Sequence, residues 1–353
     1  MTEKVDMVRL GMTNPHVVSS LTLRDWDVLI RQARSSAVLG RLHAVLEEAQ
    51  IIDHVPMPPR NHLEAARVVA GSQERVIRWE VYCIRRALAR VETEFVLLKG
   101  AAYVLSGLPF ARGRIQSDVD ILAAKSKLRT IEAALLEQGW IHMKLDKYDQ
   151  RFYREWSHEL PPLYHPHRGT VLDVHHNILP STGRVHPDPQ KLLRASEDIP
   201  GTPYKRLCPP DMVLHACAHM FQDGDFERGF RELTDIDGLL RALSGTAAFW
   251  DQLSQRAQEM QLYRPLFYGL RYAYEFLNTP IPQRIISASL EWAPSGPVLH
   301  AMDALVRQAL VPRMAATLNT RYARWVLYMR SHWLRMPPLL LARHLLHQSL
   351  RRR

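Results

Sequence analysis

Between Ser117 and Leu122 the chain reads Ser-Asp-Val-Asp-Ile-Leu, and this alternation of acidic and apolar residues constrains the fold more than any other stretch. Side chains two apart on a strand project to the same face, so Asp118 and Asp120 stand together on one side while Val119 and Ile121 enter the core. Two carboxylates held that close repel. A bound cation is the usual means of keeping both ionised in a half-buried setting.

The neighbouring segments supply the rest of a site. Phe95–Leu98 is a short apolar run that stops at Lys99-Gly100, as a buried strand running into a tight turn and a helix over Ala101–Leu105 would. At such a junction a glycine lets the backbone approach phosphate and the helix N-terminus offers free amide donors. Arg112 and Arg114, just before the Asp pair, suit bidentate contact with triphosphate oxygens. Lys127–Gln138 reads as a helix closed by Gly139, and Trp140–Leu145 and Gly169–His175 as further strands. The last of these carries Asp173 in Val171-Leu172-Asp173-Val174-His175. Three carboxylates from two strands can hold two metal ions about 3.5–4 Å apart, an arrangement suited to phosphoryl or nucleotidyl transfer. Magnesium fits this oxygen set, with manganese as the alternative ion.

Helical patterns flank this region. Apolar residues recur at helical spacing over Leu21–Glu48, the proline-rich Val55–Pro59 reads as a loop, and His62–Val91 reads as a long helix. Ile77, Val81, Ile84, Leu88 and Val91 form its buried stripe. Past Pro209-Pro210 the pattern is helical almost to the end, with breaks near Gly245, Pro280, Pro294–Pro297 and Pro337-Pro338. The expected class is therefore α+β, a small mixed sheet between N-terminal and C-terminal helical regions. The expected segments are an N-terminal helical region over 1–92, an α/β core over 93–180, a helical domain over 181–303 and a basic helical tail over 304–353.

Composition narrows the setting. The three cysteines, Cys83, Cys208 and Cys217, lack the spacing of a disulfide framework or zinc knuckle. Acidic residues at positions 3, 6, 25 and 27 break any signal-peptide pattern. No uncharged apolar run approaches the roughly 18–20 residues of a membrane span. A cytoplasmic location is the expectation. The net charge of +10 resides in the tail, since the chain after Asp303 has ten arginines and no acidic residue. Three readings compete for that tail: packing helices with a basic outer face, a peripheral amphipathic contact with an anionic inner membrane surface, or a nucleic-acid patch. No nucleic-acid module is recognisable.

Leu97-Leu98-Lys99-Gly100, Arg114-Ile115-Gln116-Ser117-Asp118-Val119-Asp120-Ile121-Leu122 and Leu172-Asp173-Val174-His175 together resemble the bacterial uncharacterised nucleotidyltransferase family of the DNA polymerase β superfamily. The similarity covers roughly residues 20–300, including the stretch with His215, His219, Arg231 and Asp235. It implies a nucleotidyltransferase core in which Asp118, Asp120 and Asp173 are catalytic and bind metal, with Lys99, Gly100, Arg114 and Ser117 near the phosphates. A nucleoside triphosphate such as ATP would be the donor, and the acceptor stays unnamed. One departure stands out, for Gly100 is followed by Ala101-Ala102 where many superfamily members have Gly-Ser or Gly-Gly. Two alternatives remain: a degenerate nucleotide- or partner-binding protein on the same fold, and transfer of another group from a nucleotide-linked donor.

Other groups read as structural. His215 and His219 are four apart on an expected helix but lack the glutamate of a His-Glu-x-x-His metal motif. Arg231 and Asp235 have the spacing of a local helical ion pair, and Asp223, Asp225 and Glu227 read as an exposed connection. On its strand His175 shares the face of Asp173, while His176 points away.

Overall fold

The computed structural model describes residues 6–343 apart from Glu92, Leu145 and Asp225. Among these, seven strands form one mixed sheet: β1 (Val96–Leu97), β2 (Asp118–Leu122), β3 (Ile141–His142), β4 (Leu163–His165), β5 (Thr170–His175), β6 (Glu197–Asp198) and β7 (Lys205–Arg206). Their order is β3-β4-β5-β2-β1-β7-β6. The central pair, β2 and β5, runs parallel, whereas β1 is antiparallel to β2. Both central strands bury one face, with Val119, Ile121, Leu172 and Val174 in the core. The expected α+β class, a mixed sheet flanked by helices, is the fold observed.

The helix Met57–Leu88 lies against β2 and buries Ile77, Val81, Ile84 and Leu88, the stripe its four-and-three spacing requires. It begins earlier than the expected His62. Pro58 and Pro59 fall in its first turn, where a missing N–H breaks no intrahelical bond, so the proline-rich stretch starts the helix where a loop was expected. The strand expected over Trp140–Leu145 shortens to Ile141–His142, and Leu145 lies outside the described residues. The hairpin partner β4 and the edge pair β6–β7 carry too few residues to announce themselves by alternation. β6 and β7 extend the sheet past residue 180, the expected end of the core.

The C-terminal half is helical, with breaks where the glycines and prolines place them: helices end at Leu243, Leu277 and Arg335. The helix Leu318–Arg335 packs on Gly296–Ala309 and on the turn His219–Asp223. Its arginines are largely engaged internally. Arg324 donates to Ala309 and Val311 carbonyls, Arg330 to the Phe221 carbonyl, and Arg335 pairs with Asp223 at 3.0 Å. These contacts favour the packing reading of the tail, while Arg351, Arg352 and Arg353 lie outside the described residues. Asp223 is consequently a partly buried anchor and not part of an exposed connection, and Asp225 lies outside the described residues. Among the described residues no helix is long and apolar enough to cross a membrane.

Candidate active site

In the parallel register of β2 and β5, Asp120 lies directly beside Asp173, and Asp118 beside Val171. Adjacent residues on paired strands share a face, so all three carboxylates project to the same side of the sheet, with His175 one step further along β5. Asp118 is half-buried at the start of β2, and Asp120 is buried. The register thus places on one face of the sheet the three residues that alternation and the Leu-Asp strand single out.

Asp120 is the electrostatic centre. Lys99 Nζ lies 2.9 Å from its Oδ1, and His175 Nε2 lies 3.0 Å from the same oxygen. Burial works against ionisation, but Lys99 and His175 outweigh it and hold the Asp120 carboxyl well below its ordinary pKa. Lys99 adopts a left-handed backbone, φ +43°, at the junction of β1 and the helix Lys99–Leu105. A residue with a side chain resists that conformation, and the ion pair with Asp120 is the compensating contact.

Asp173 differs. Its Oδ1 is buried and has no hydrogen-bond partner among the described residues. Burial, then the charges of Asp120 and Glu159, push its pKa up to about 7. A buried acceptor without a donor is costly in a native protein and calls for a ligand, water or ion. An oxygen-only set of Asp118, Asp120 and Asp173 with one orphaned oxygen fits a hard divalent cation such as magnesium.

Beside these stands a group that the sequence did not signal. Glu159 Oε2 lies 3.2 Å from His175 Nδ1, so the imidazole sits between two carboxylates. Those charges overcome the opposing effect of burial and raise the pKa of His175. Among the described residues, the one group of three whose ligand atoms all lie within 4.8 Å of one another is His158, Glu159 and His175, which share His175 with the carboxylate face and could also hold a cation. His158 and Glu159 precede β4 in an irregular segment, where no periodicity marks them.

The sites expected to bind phosphate fare unevenly. Lys99, Gly100, Arg114, Asp118 and Asp120 line one cavity of about 70 Å³, together with His219. Arg114 is buried and already committed, its guanidinium making a two-pronged pair with Asp235. Arg41 joins the same carboxylate at 2.9 Å and also donates to Thr234 and the Phe110 carbonyl. Asp235 is therefore held by Arg114 and Arg41, which replace the local Arg231 pairing that helical spacing suggested. Burial alone would raise its pKa, but the two guanidinium groups bring it to about 2. The approach of Arg41 to Arg114 depends on Gly40 and Gly113, since a Cβ on Gly113 would stand 2.1 Å from the Gly40 carbonyl oxygen. Arg112 turns away and pairs with Glu47. Ser117 is exposed, its Oγ 3.4 Å from Asp118 Oδ1.

Gly100 serves packing as well as approach. A Cβ there would meet Gln116 Oε1 at 2.0 Å and Arg114 Nη1 at 2.6 Å. His215 is buried and held well below its ordinary pKa, first by burial and then by Lys99, so it is a neutral core histidine. His219 behaves differently. The helix Pro209–Ala218 widens into a π-helical turn, His219–Asp223, which carries His219 into the cavity wall 3.6 Å from Glu232 and 3.8 Å from Asp223. Burial opposes its charging, yet the two carboxylates prevail and raise its pKa.

An α+β fold that aligns acidic residues on neighbouring strands of a small mixed sheet, beside a strand–helix junction, has the architecture of a nucleotidyl-transfer core. The family model described as uncharacterised nucleotidyltransferase matches residues 22–278, and the chain belongs to that family. No curated protein and no solved structure matches the chain.

Proposed function

We propose that this chain is a magnesium-dependent nucleotidyltransferase of the DNA polymerase β type, which transfers a nucleoside monophosphate from a nucleoside triphosphate to a hydroxyl or phosphate acceptor. The observation that carries the reading is Asp173 beside Asp120 in the β2–β5 register, with a buried oxygen that has no hydrogen-bond partner among the described residues. In the reaction an acceptor oxygen attacks the α-phosphorus, the bond from that phosphorus to the bridging oxygen breaks, and pyrophosphate leaves with the electron pair. Asp118, Asp120 and Asp173 would hold the metal, whose contribution when bound is to neutralise phosphate charge and lower the pKa of the attacking group. Lys99 keeps Asp120 ionised and fixes its Oδ1, leaving Oδ2 outside both recorded contacts. His175 orients the same carboxylate, with Glu159 fixing the ring from behind. Asp173 aligns the acceptor hydroxyl or takes its proton.

A second reading, a catalytically silent nucleotide- or partner-binding protein, draws on one observation. Lys99 and His175 already neutralise Asp120 without any metal.

Titration calorimetry with each of the four nucleoside triphosphates, with and without magnesium, separates the two. Metal-dependent binding that disappears in the Asp118→Asn/Asp120→Asn double variant supports the transferase. Metal-independent binding retained in that variant supports the silent scaffold, and turnover retained by both single variants would sink the catalytic assignment.

A further inference from the structure

We propose that Arg231, with Arg228 and the side-chain amide of Gln116, forms a subsite for the polyphosphate tail of the nucleotide, in a cleft that adjoins the carboxylate cavity. The inference rests on the nucleotidyl-transfer reading and asks where that site places its substrate's negative charge.

The cavity in front of Asp118 and Asp120, about 70 Å³, has room for ions and a few waters but not for a triphosphate. A larger cleft of about 410 Å³ lies next to it, lined by Gln116, Ser117, Arg168, Arg228 and Arg231 among others. Arg231 lines both spaces, and Ser117 and Asp118 are sequence neighbours that open one onto each. The two spaces share the Arg231 side chain as a wall, so an anion that spans from the carboxylates toward the cleft meets that guanidinium.

The cations expected to meet phosphate are spoken for. Arg114 is bound to Asp235, Lys99 to Asp120, and Arg112 to Glu47. Within the cleft Arg168 pairs with Glu80 through both carboxylate oxygens and lies over the Trp140 ring. Arg231 is different. Among the described residues its Nε is buried without a partner, and Nη1 makes only a long contact, 3.4 Å from the Ile115 carbonyl. Burial and the neighbouring Arg114 depress its pKa despite the opposing pull of Asp235 and Glu232, as for a guanidinium lacking anionic compensation. Arg228 is exposed at the cleft and has no recorded ion pair among the described residues. Gln116 is 4% exposed, yet neither its Oε1 nor its Nε2 has a hydrogen-bond partner among the described residues. Two guanidinium groups and an idle amide, grouped beside three carboxylates, are the complement of phosphate oxygens.

The test is calorimetric titration of the full chain, in magnesium, with ATP, tripolyphosphate, AMP and inorganic phosphate. The proteins compared are the wild type, Arg231→Gln, Arg228→Gln and the Asp118→Asn/Asp120→Asn double variant. Arg231→Gln should weaken ATP and tripolyphosphate by about tenfold or more, the loss of one charge-assisted contact, and leave AMP unchanged. Arg228→Gln should act in the same direction to a smaller extent. Unchanged ATP and tripolyphosphate affinity in both arginine variants, beside loss in the aspartate variant, overturns the subsite and leaves the transferase reading standing. Weakening confined to inorganic phosphate assigns the cleft to a phosphorylated acceptor and overturns the polyphosphate assignment. Absence of ATP and tripolyphosphate binding in the wild type overturns both proposals. If circular dichroism shows Arg231→Gln unfolded, the exposed Arg228→Gln decides.

Discussion

Arg114 and Asp235, 121 residues apart in the chain, are joined by a two-pronged ion pair, with Nε and Nη2 at 3.0 and 2.9 Å from Oδ2. Both are almost wholly removed from solvent, and Arg41 completes the cluster from the helix Leu39–Glu48. The pair clamps the segment leading into β2 onto the helix Gly229–Leu243, so the wall bearing Asp118 and the wall bearing Arg231 are tied at one point.

Asp235→Asn should destabilise the fold by about 3–5 kcal/mol at neutral pH, since two guanidinium groups lose their buried counter-charge. The folded pKa of Asp235, about 2, lies below its ordinary value of 3.8, so its stabilisation is present in full above pH 4. It fades as pH falls toward 2, a contribution of about 2 kcal/mol. Urea unfolding from pH 2 to 7 should therefore show the gap between wild type and variant narrowing below pH 4. A gap independent of pH would mean that the carboxylate charge is not what holds the clamp.

Lys99→Met removes the cation nearest Asp120 and leaves its carboxylate with His175 alone. The variant should lose about 2–4 kcal/mol without divalent ions, the cost of a buried charge missing its partner. Magnesium or manganese should then raise its melting temperature more than that of the wild type, because a ligand that binds only the folded state stabilises it. Equal metal responses in the two proteins would place the ion away from Asp120.

Gly100→Ala puts a methyl group against Gln116 and against an Arg114 guanidinium that Asp235 prevents from moving aside. A loss of about 1–3 kcal/mol is expected from this overpacking. Gly296→Ala provides the control, since nothing lies within 4 Å of the added carbon, and its effect on thermal unfolding should be within about 0.5 kcal/mol. Similar melting temperatures for the two variants would show that the space above Gly100 is not tightly filled.

Much of this molecule was legible in the linear chain. Alternation over 117–122 marks β2 and assigns Asp118 and Asp120 to one face, because the two-residue period of a strand is a local property of the backbone. The 3.6-residue period likewise exposes the buried stripe of Met57–Leu88, and the glycine and proline breaks locate the later helix ends. Short elements such as β4, β6 and β7 escape, since two or three residues give no period to read.

The partners of each charge were a different matter. Arg231 and Asp235 have the spacing of a helical ion pair, yet Asp235 takes Arg114 and Arg41 from distant segments, where buried bidentate geometry outweighs a local, more exposed contact. Tertiary packing likewise commits Lys99 to Asp120, sets Glu159 behind His175 and leaves Arg231 facing two cavities. Residue types and their local periodicity fix which side chains share a face. Which of those charges are neutralised and which remain available to a ligand follows from strand register and helix packing, which set Asp120 beside His175 across 55 positions of the chain and Arg114 beside Asp235 across 121.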